Sequence, residues 1–294
     1  MALTASADAG WRHARGRGRA AAAGRMTSVV AASRRILLAA AVLWVLASVA
    51  GQWHTLLGFD CHAYWAAWRN ELYSAAPQQR DAYLYSPAFA QLIYPMTRLP
   101  WAAFLTLWTL ANAAIFGWLL WPMGRRGVAA FAFCIPAILI GNVWALLALV
   151  MVLGFRRPAC WAFPLLTKIT PAVGVLWFAA RREWRPAGVA LAVAAAVTLV
   201  SAAADPPLWT AWLHLLTHPQ AAASPGRESV RGGLAFIPFA PRLLTAAALT
   251  VWAARSDRRW AIPIAGALAT PVFGIVSLSV CAAVPRLRSA GDPA

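Results

Sequence analysis

Three observations predict an all-α, polytopic integral membrane protein with about 8–10 membrane helices, some of them short and broken. Of its 294 residues 61% are hydrophobic and only 12% charged, against roughly 45–50% and about 25% in a soluble globular domain. Its 26 basic residues outnumber 9 acidic ones, and the arginines stand at the ends of apolar runs, as they do where basic residues fix membrane orientation. Apolar runs of span length, about 20 residues, recur along the chain. Together these exclude a soluble Rossmann enzyme, a zinc finger and a disordered scaffold. They also argue against nucleic acid as a partner despite the net charge of +17, because the basic residues form no single face.

Residues 1–35 read as an Arg-rich cytoplasmic tail, expected to be disordered, and residues 289–294 as a short C-terminal tail. Between them, 36–288 reads as a single transmembrane domain with outer loops at about 58–100 and 205–233. The run that follows Arg34 and Arg35 has the look of a signal peptide, and Ser48-Val49-Ala50 would pass as its cleavage site. Its length is that of a span, however, so an uncleaved anchor with the N-terminus inside is the preferred reading. In the first outer loop Trp65, Trp68 and Leu72 recur at i, i+3, i+7, the spacing of an amphipathic helix on the membrane surface. Ser86-Pro87 reads as a helix start, with proline at the first helical position. Trp101 to Trp121 is a second span, closed by Arg125 and Arg126.

The middle of the chain carries a contradiction that is informative. Basic clusters at Arg125/Arg126, Arg156/Arg157 and Arg181/Arg182/Arg185 lie only about 25–30 residues apart, whereas crossing and returning takes about 40. If all three are cytoplasmic, the intervening segments are half-depth hairpins with tips near Gly141-Asn142 and Lys168-Ile-Thr-Pro171. Broken backbone at membrane depth must line a cavity or be buried in protein. Pro186 to Ala204 then runs outward, and Ala235 to Ala254 returns to Arg255, Arg258 and Arg259. Trp260 to Val284 is a last apolar segment, interrupted by Pro263 and Pro271, and whether it crosses once or turns back stays open. The four cysteines are scattered with no CxxC, so neither a zinc site nor a disulfide framework is indicated.

Two residues could carry chemistry. Asp60, just past the first span and followed by His62 and Tyr64, reads from position alone first as a helix cap. Its second reading is a general base at the membrane interface. Lys168 is the one lysine among 26 basic residues. Its insertion in an apolar segment costs about 2.5–3.5 kcal/mol, so it is expected to face a cavity or an anion such as a phosphate, or else to snorkel to an interface. His214 and His218 have a metal-ligand spacing but lack the HExxH glutamate, and an amphipathic surface helix is preferred. Arg227 and Arg231, flanking Ser229, are either a phosphate clamp or solvated loop charges.

Several of these stretches resemble glycosyltransferase family 87, the polyprenol-phosphate-mannose-dependent α-mannosyltransferases of the membrane C-type superfamily. Gly58-Phe-Asp60-Cys-His-Ala-Tyr64, Leu72-Tyr73, Tyr83-Leu-Tyr85-Ser-Pro87, Tyr94-Pro95 and Leu99-Pro100 are similar to that family's first outer loop. Gly141-Asn142-Val143-Trp144 resembles its Gly-Gln-x-Asn tip, Lys168-Ile-Thr-Pro171 its Lys-x-x-Pro segment, and Glu228-Ser229-Val230-Arg231-Gly232 a later Asn-Gln-Ser-x-x-Gly loop. Cys61, Trp65, Asn142 and Arg227-Glu228 depart from the family's usual residues, and the chain is shorter than typical members. The resemblance implies a C-type glycosyltransferase-like fold with Asp60 as base. It implies Lys168 as ligand of donor phosphate, with His62, Tyr64, Tyr85, Asn142, Arg227 and Arg231 as further substrate-binding residues. The partners implied are a polyprenyl-phosphate sugar donor, a glycolipid or glycan acceptor and the lipid bilayer. The location implied is a multi-pass protein of the cell membrane with its active site on the outer side. Because the donor is phosphate-activated and cations can come from side chains, neither metal nor other cofactor is called for. The alternatives are a lipid or small-molecule transporter or flippase, which would not need a carboxylate at the outer rim, and an inactive family member acting as an assembly subunit.

Overall fold

The computed structural model describes residues 56–75, 79–169, 172–217, 238–271 and 273–289, with isolated positions of an earlier helix at Ile36, Ala39, Ala40, Leu43 and Ala47. The tail 1–35, most of the expected first span and the later part of the expected second outer loop, with Arg227 and Arg231, lie outside the described residues. Among the described residues the architecture is all-helical, with no strand. Two stretches are long and apolar enough to cross a membrane, Trp101–Ile140 and Trp184–Ala204. The first is interrupted at Trp121–Arg126, where Gly124 leaves helical geometry.

The helices are α1 (Phe59–Ala66), α2 (Pro87–Thr97), α3 (Trp101–Leu120), α4 (Gly127–Ile140), α5 (Trp144–Leu153), α6 (Ala162–Thr167), α7 (Val173–Ala180), α8 (Trp184–Ala204), α9 (Pro206–Thr217), α10 (Phe239–Arg255), α11 (Ile262–Leu268) and α12 (Val284–Ser289). Local signals explain several starts. Pro87 occupies the first turn of α2, where its missing N–H costs nothing. Asp205 accepts a hydrogen bond from the Leu208 backbone N–H at 3.3 Å and so caps α9.

From α3 onward the chain runs back and forth between two ends of the molecule. At one end the turns are basic. Arg286 donates to the Trp118 carbonyl at 2.9 and 2.6 Å and stacks on its ring. Arg288 lies over Trp260, and Arg259 over Phe155. Arg181 donates to the Ala254 carbonyl and pairs with Asp257. These contacts gather the turns after α3, α5, α7 and α10, together with α12, at one end. At the other end the Gly58 N–H donates to the Leu139 carbonyl at 2.7 Å, and the Trp108 indole to that of Gly141 at 2.7 Å.

The two expected hairpins are present. Helices α4, α5, α6 and α7 have 14, 10, 6 and 8 residues, or about 21, 15, 9 and 12 Å at 1.5 Å per residue, well short of a bilayer core of about 30 Å. Gly141 ends α4 at φ 74°, a conformation glycine adopts without strain. The second hairpin sits beside the first because Gly154 and Gly174 admit Trp161, whose ring atoms would lie 2.4 and 2.0 Å from a Cβ at those positions. The last apolar segment turns back: α11 rises from the basic end, and a 3-10 stretch, Ile275–Ala283, leads down to α12. Between the ends, Leu107, Leu110, Val189, Leu191, Leu199 and Val200 are exposed, as the sides of a membrane protein are.

The segment 58–100 departs from expectation. Its first helix stops at Ala66 and does not reach Leu72. The Trp65 and Trp68 indoles donate to the carbonyls of Leu99 and Ala90, both at 2.9 Å. These bonds fold the segment over α2, and Leu72 is buried.

Gly141→Ala is expected to lower stability by about 1–3 kcal/mol, because its Cβ would meet Cys61 Sγ at 2.6 Å in a left-handed conformation. A drop in melting temperature in detergent, against an unchanged or raised value for Gly188→Ala, which has nothing within 4 Å, checks this.

Candidate active site

Helix α1 presents Asp60 at the end opposite the basic turns. Gly58 precedes it at φ 70°, packed so closely on Trp101 that a Cβ would lie 2.8 Å from the ring. Asp60 is inside the first turn of α1, not at its cap; the cap position is Gly58, with no side-chain capping bond. The cap reading therefore fails. The Asp60 carboxylate instead accepts a hydrogen bond from the Asn142 side-chain amide, supplied by the tip of the α4–α5 hairpin. The amide nitrogen is the donor; its oxygen, Asn142 Oδ1, is buried without a hydrogen-bond partner.

Lys168 follows the last turn of α6. Its Nζ lies 4.7 Å from the ring centre of Trp144 and 5.5 Å from that of Tyr85, within reach of cation–π attraction. The Asp60 carboxylate is close enough to interact with it electrostatically. What brings Lys168 to Tyr85 is Ser86, whose hydroxyl donates to the Leu166 carbonyl at 2.5 Å and whose N–H donates to the same oxygen at 3.3 Å. Ser86 has the residue type of a helix cap but makes no capping bond; its hydroxyl is committed to this tertiary contact.

Asp60, Asn142, Tyr85 and Lys168 thus meet in one site, walled by Trp144 and Tyr64. The Tyr64 and Tyr85 hydroxyls lie 3.0 Å apart. Tyr64 is only 2% exposed and touches Tyr83, Phe89 and Trp108 edge-on, so it supports the wall and leaves the open surface to others. Burial above all, with the nearby Asp60 charge adding to it, holds both phenols above the ordinary tyrosine value, so they remain hydrogen-bond donors at neutral pH. The same causes push the Cys61 thiol up to about 12.

His62 has different partners. Its ring nitrogen pairs with Asp81, and it packs against Trp101 at 4.7 Å and Trp65 at 5.3 Å. Two residues on from Asp60, it points to the other side of α1 and clamps the 79–85 segment. Trp144 and Ser86 were not expected as site residues, since nothing local marks an aromatic wall or a bracing hydroxyl. Arg242, also unexpected, is buried beside Phe239 and Phe273. It donates to the carbonyls of Leu268, Thr270 and Pro271 at 3.2, 2.7 and 3.1 Å, tying α10 to the end of α11. An arginine inside a mostly apolar helix was its only signal. Among the described residues no group of three His, Cys, Asp or Glu is placed to hold a metal; His218 lies outside them.

The profile of glycosyltransferase family 87 matches residues 83–285. The chain belongs to that family. The matched region contains Tyr85, Asn142 and Lys168 and begins after Asp60. The chain is also 33% identical over 150 residues to a polyprenol-phosphate-mannose-dependent alpha-(1-2)-phosphatidylinositol mannoside mannosyltransferase of Mycobacterium tuberculosis (strain ATCC 25618 / H37Rv). That alignment covers 45% of this chain and 35% of the relative, about a third of its length. No solved structure matches the chain.

Cys61 is expected to resist maleimide in the folded protein at pH 8 and to react after denaturation in SDS, because it is fully buried and its thiol stays protonated. Mass spectrometry of the labelled peptides checks this; native labelling of Cys61 would mean that α1 is not docked on the hairpin tip.

Proposed function

We propose that this family member is a multi-pass membrane glycosyltransferase. It moves a sugar, mannose by analogy with the mycobacterial relative, from a polyprenyl-phosphate donor to a glycolipid or glycan acceptor outside the cytoplasm. One observation carries the reading: a carboxylate and an ammonium, from segments far apart in sequence, share an aromatic-walled site at the end remote from the basic turns. Basic turns belong on the cytoplasmic side, which puts Asp60 and Lys168 outside and the N-terminus inside.

In this reading Asp60 takes the proton of the acceptor hydroxyl as its oxygen attacks the anomeric carbon in line. The bond from that carbon to the phosphate oxygen breaks, its electron pair leaves with the polyprenyl phosphate, and configuration inverts. Lys168 stabilises the charge gathering on the departing phosphate, and the Tyr85 hydroxyl is placed to donate a hydrogen bond nearby. Asn142 fixes the orientation of the Asp60 carboxylate, while its unpartnered oxygen offers an acceptor to a sugar hydroxyl. The apolar flanks of α3 and α8 leave the sides of the molecule open to lipid, the phase in which a polyprenyl tail is soluble.

Labelled polyprenyl-phosphate mannose, supplied with membrane glycolipids as acceptors, tests this. Asp60→Asn is expected to lower transfer by about 10²–10⁴-fold; equal transfer by variant and wild type would remove the base assignment. Lys168→Gln is expected to lower it by about 10²-fold or more, the scale seen on removing one transition-state donor, with the fall in kcat/KM measured for the donor. Asn142→Asp sets a second carboxylate beside Asp60 and is expected to lose more activity than Asn142→Ala, since two like charges at that distance cannot both ionise freely.

A further inference from the structure

We propose that the basic end is a binding surface for the headgroups of anionic phospholipids, seated among the arginines of three converging turns. The turns after α5, α7 and α10 meet there, held by Arg259 over Phe155 and by Arg181 on Asp257 and the Ala254 carbonyl. Phe155 itself packs on Trp177 and Phe178 of α7. Across residues 155–157, 181–185 and 255–259 there are eight arginines and two carboxylates, Glu183 and Asp257. Both carboxylates are already engaged, Glu183 by Arg181 and Asp257 by Arg181 and Arg259. Arg156, Arg157, Arg182, Arg185, Arg255 and Arg258 are exposed and have no acidic partner among the described residues.

Such a concentration of like charge needs anions, and its surroundings say which kind. Trp121 and Trp184 are 80% and 66% exposed, and Trp118 and Trp252 are exposed as well, all at this end of the bundle. Exposed tryptophans beside arginines mark the headgroup level of a bilayer; a site for soluble phosphate would need no apolar collar. An arginine guanidinium can hold a lipid phosphate by two parallel hydrogen bonds. The proposal rests on the membrane-embedded reading of the chain and goes beyond it by assigning a lipid class to one surface.

The test uses the full chain, purified in neutral detergent, stripped of lipid and titrated with phosphatidylglycerol, phosphatidylcholine or inorganic phosphate while its melting temperature is followed. Wild type is expected to gain stability with phosphatidylglycerol and not with the other two, and 1 M NaCl is expected to weaken the gain. The triple variant Arg156→Gln/Arg157→Gln/Arg258→Gln is expected to need at least about tenfold more phosphatidylglycerol for half the effect, each basic residue near an anionic surface contributing about fivefold. Arg80→Gln, at the opposite end, should titrate like wild type. An equal gain with phosphatidylcholine or inorganic phosphate overturns the proposal, and so does an unshifted titration of the triple variant. Insertion into phosphatidylcholine nanodiscs distinguishes loss of the lipid surface from loss of membrane embedding. A chain that inserts but ignores phosphatidylglycerol loses only this surface, whereas one that fails to insert loses the membrane reading too.

Discussion

Asn142 reaches the Asp60 carboxylate only because Gly141 lets the hairpin tip press against Cys61, at a distance no side chain would tolerate. That contact joins α1 to the α4–α5 hairpin rising from the basic end. It is reinforced by Gly58 bonding to Leu139 and by Trp108 bonding to Gly141. Without it Asp60 would be a solvated carboxylate on a short interfacial helix. With it, the group is oriented, partly desolvated and placed beside a cation.

The short hairpins follow from a conflict between charge and length. Arginine clusters too close in sequence to allow full crossings are all held at one end, so the intervening helices rise partway and turn. Their tips stop inside the protein, where exposed backbone needs partners, and one supplies Asn142 while the other supplies Lys168. The polar groups of the candidate site are therefore gathered at the end of the molecule remote from the basic turns. At the other end the surplus arginines and exposed tryptophans are what such an arrangement leaves behind.

Much of this was readable where a local rule had one answer. Ser86-Pro87 began a helix, the run from Trp101 formed one long and apolar enough to span, and the expected tips fell between α4 and α5 and between α6 and α7. Asp60 and Lys168 were visible as charges in the wrong surroundings. Other features had two answers locally. Asp60 looked like a cap, and the Trp65–Trp68–Leu72 pattern looked like one helix continuing. The structure decided otherwise because the two indoles found carbonyls on another segment and the carboxylate found an amide 82 residues away. His62, adjacent to the site in sequence, went to Asp81 on the far side of α1.

The amino-acid sequence by itself determined that the chain is greasy, basic and helical, with a carboxylate after its first apolar run and one lysine inside a broken hairpin. Composition and charge spacing suffice for that, because the partition of residues between lipid and water acts on each segment alone. Only the tertiary structure decided that Trp144 and Tyr85 flank the lysine, that Ser86 braces it, and that the last apolar segment turns back beneath Arg242. Those outcomes depend on which distant segment first satisfies a buried indole, hydroxyl or guanidinium. No pattern along the chain encodes that choice.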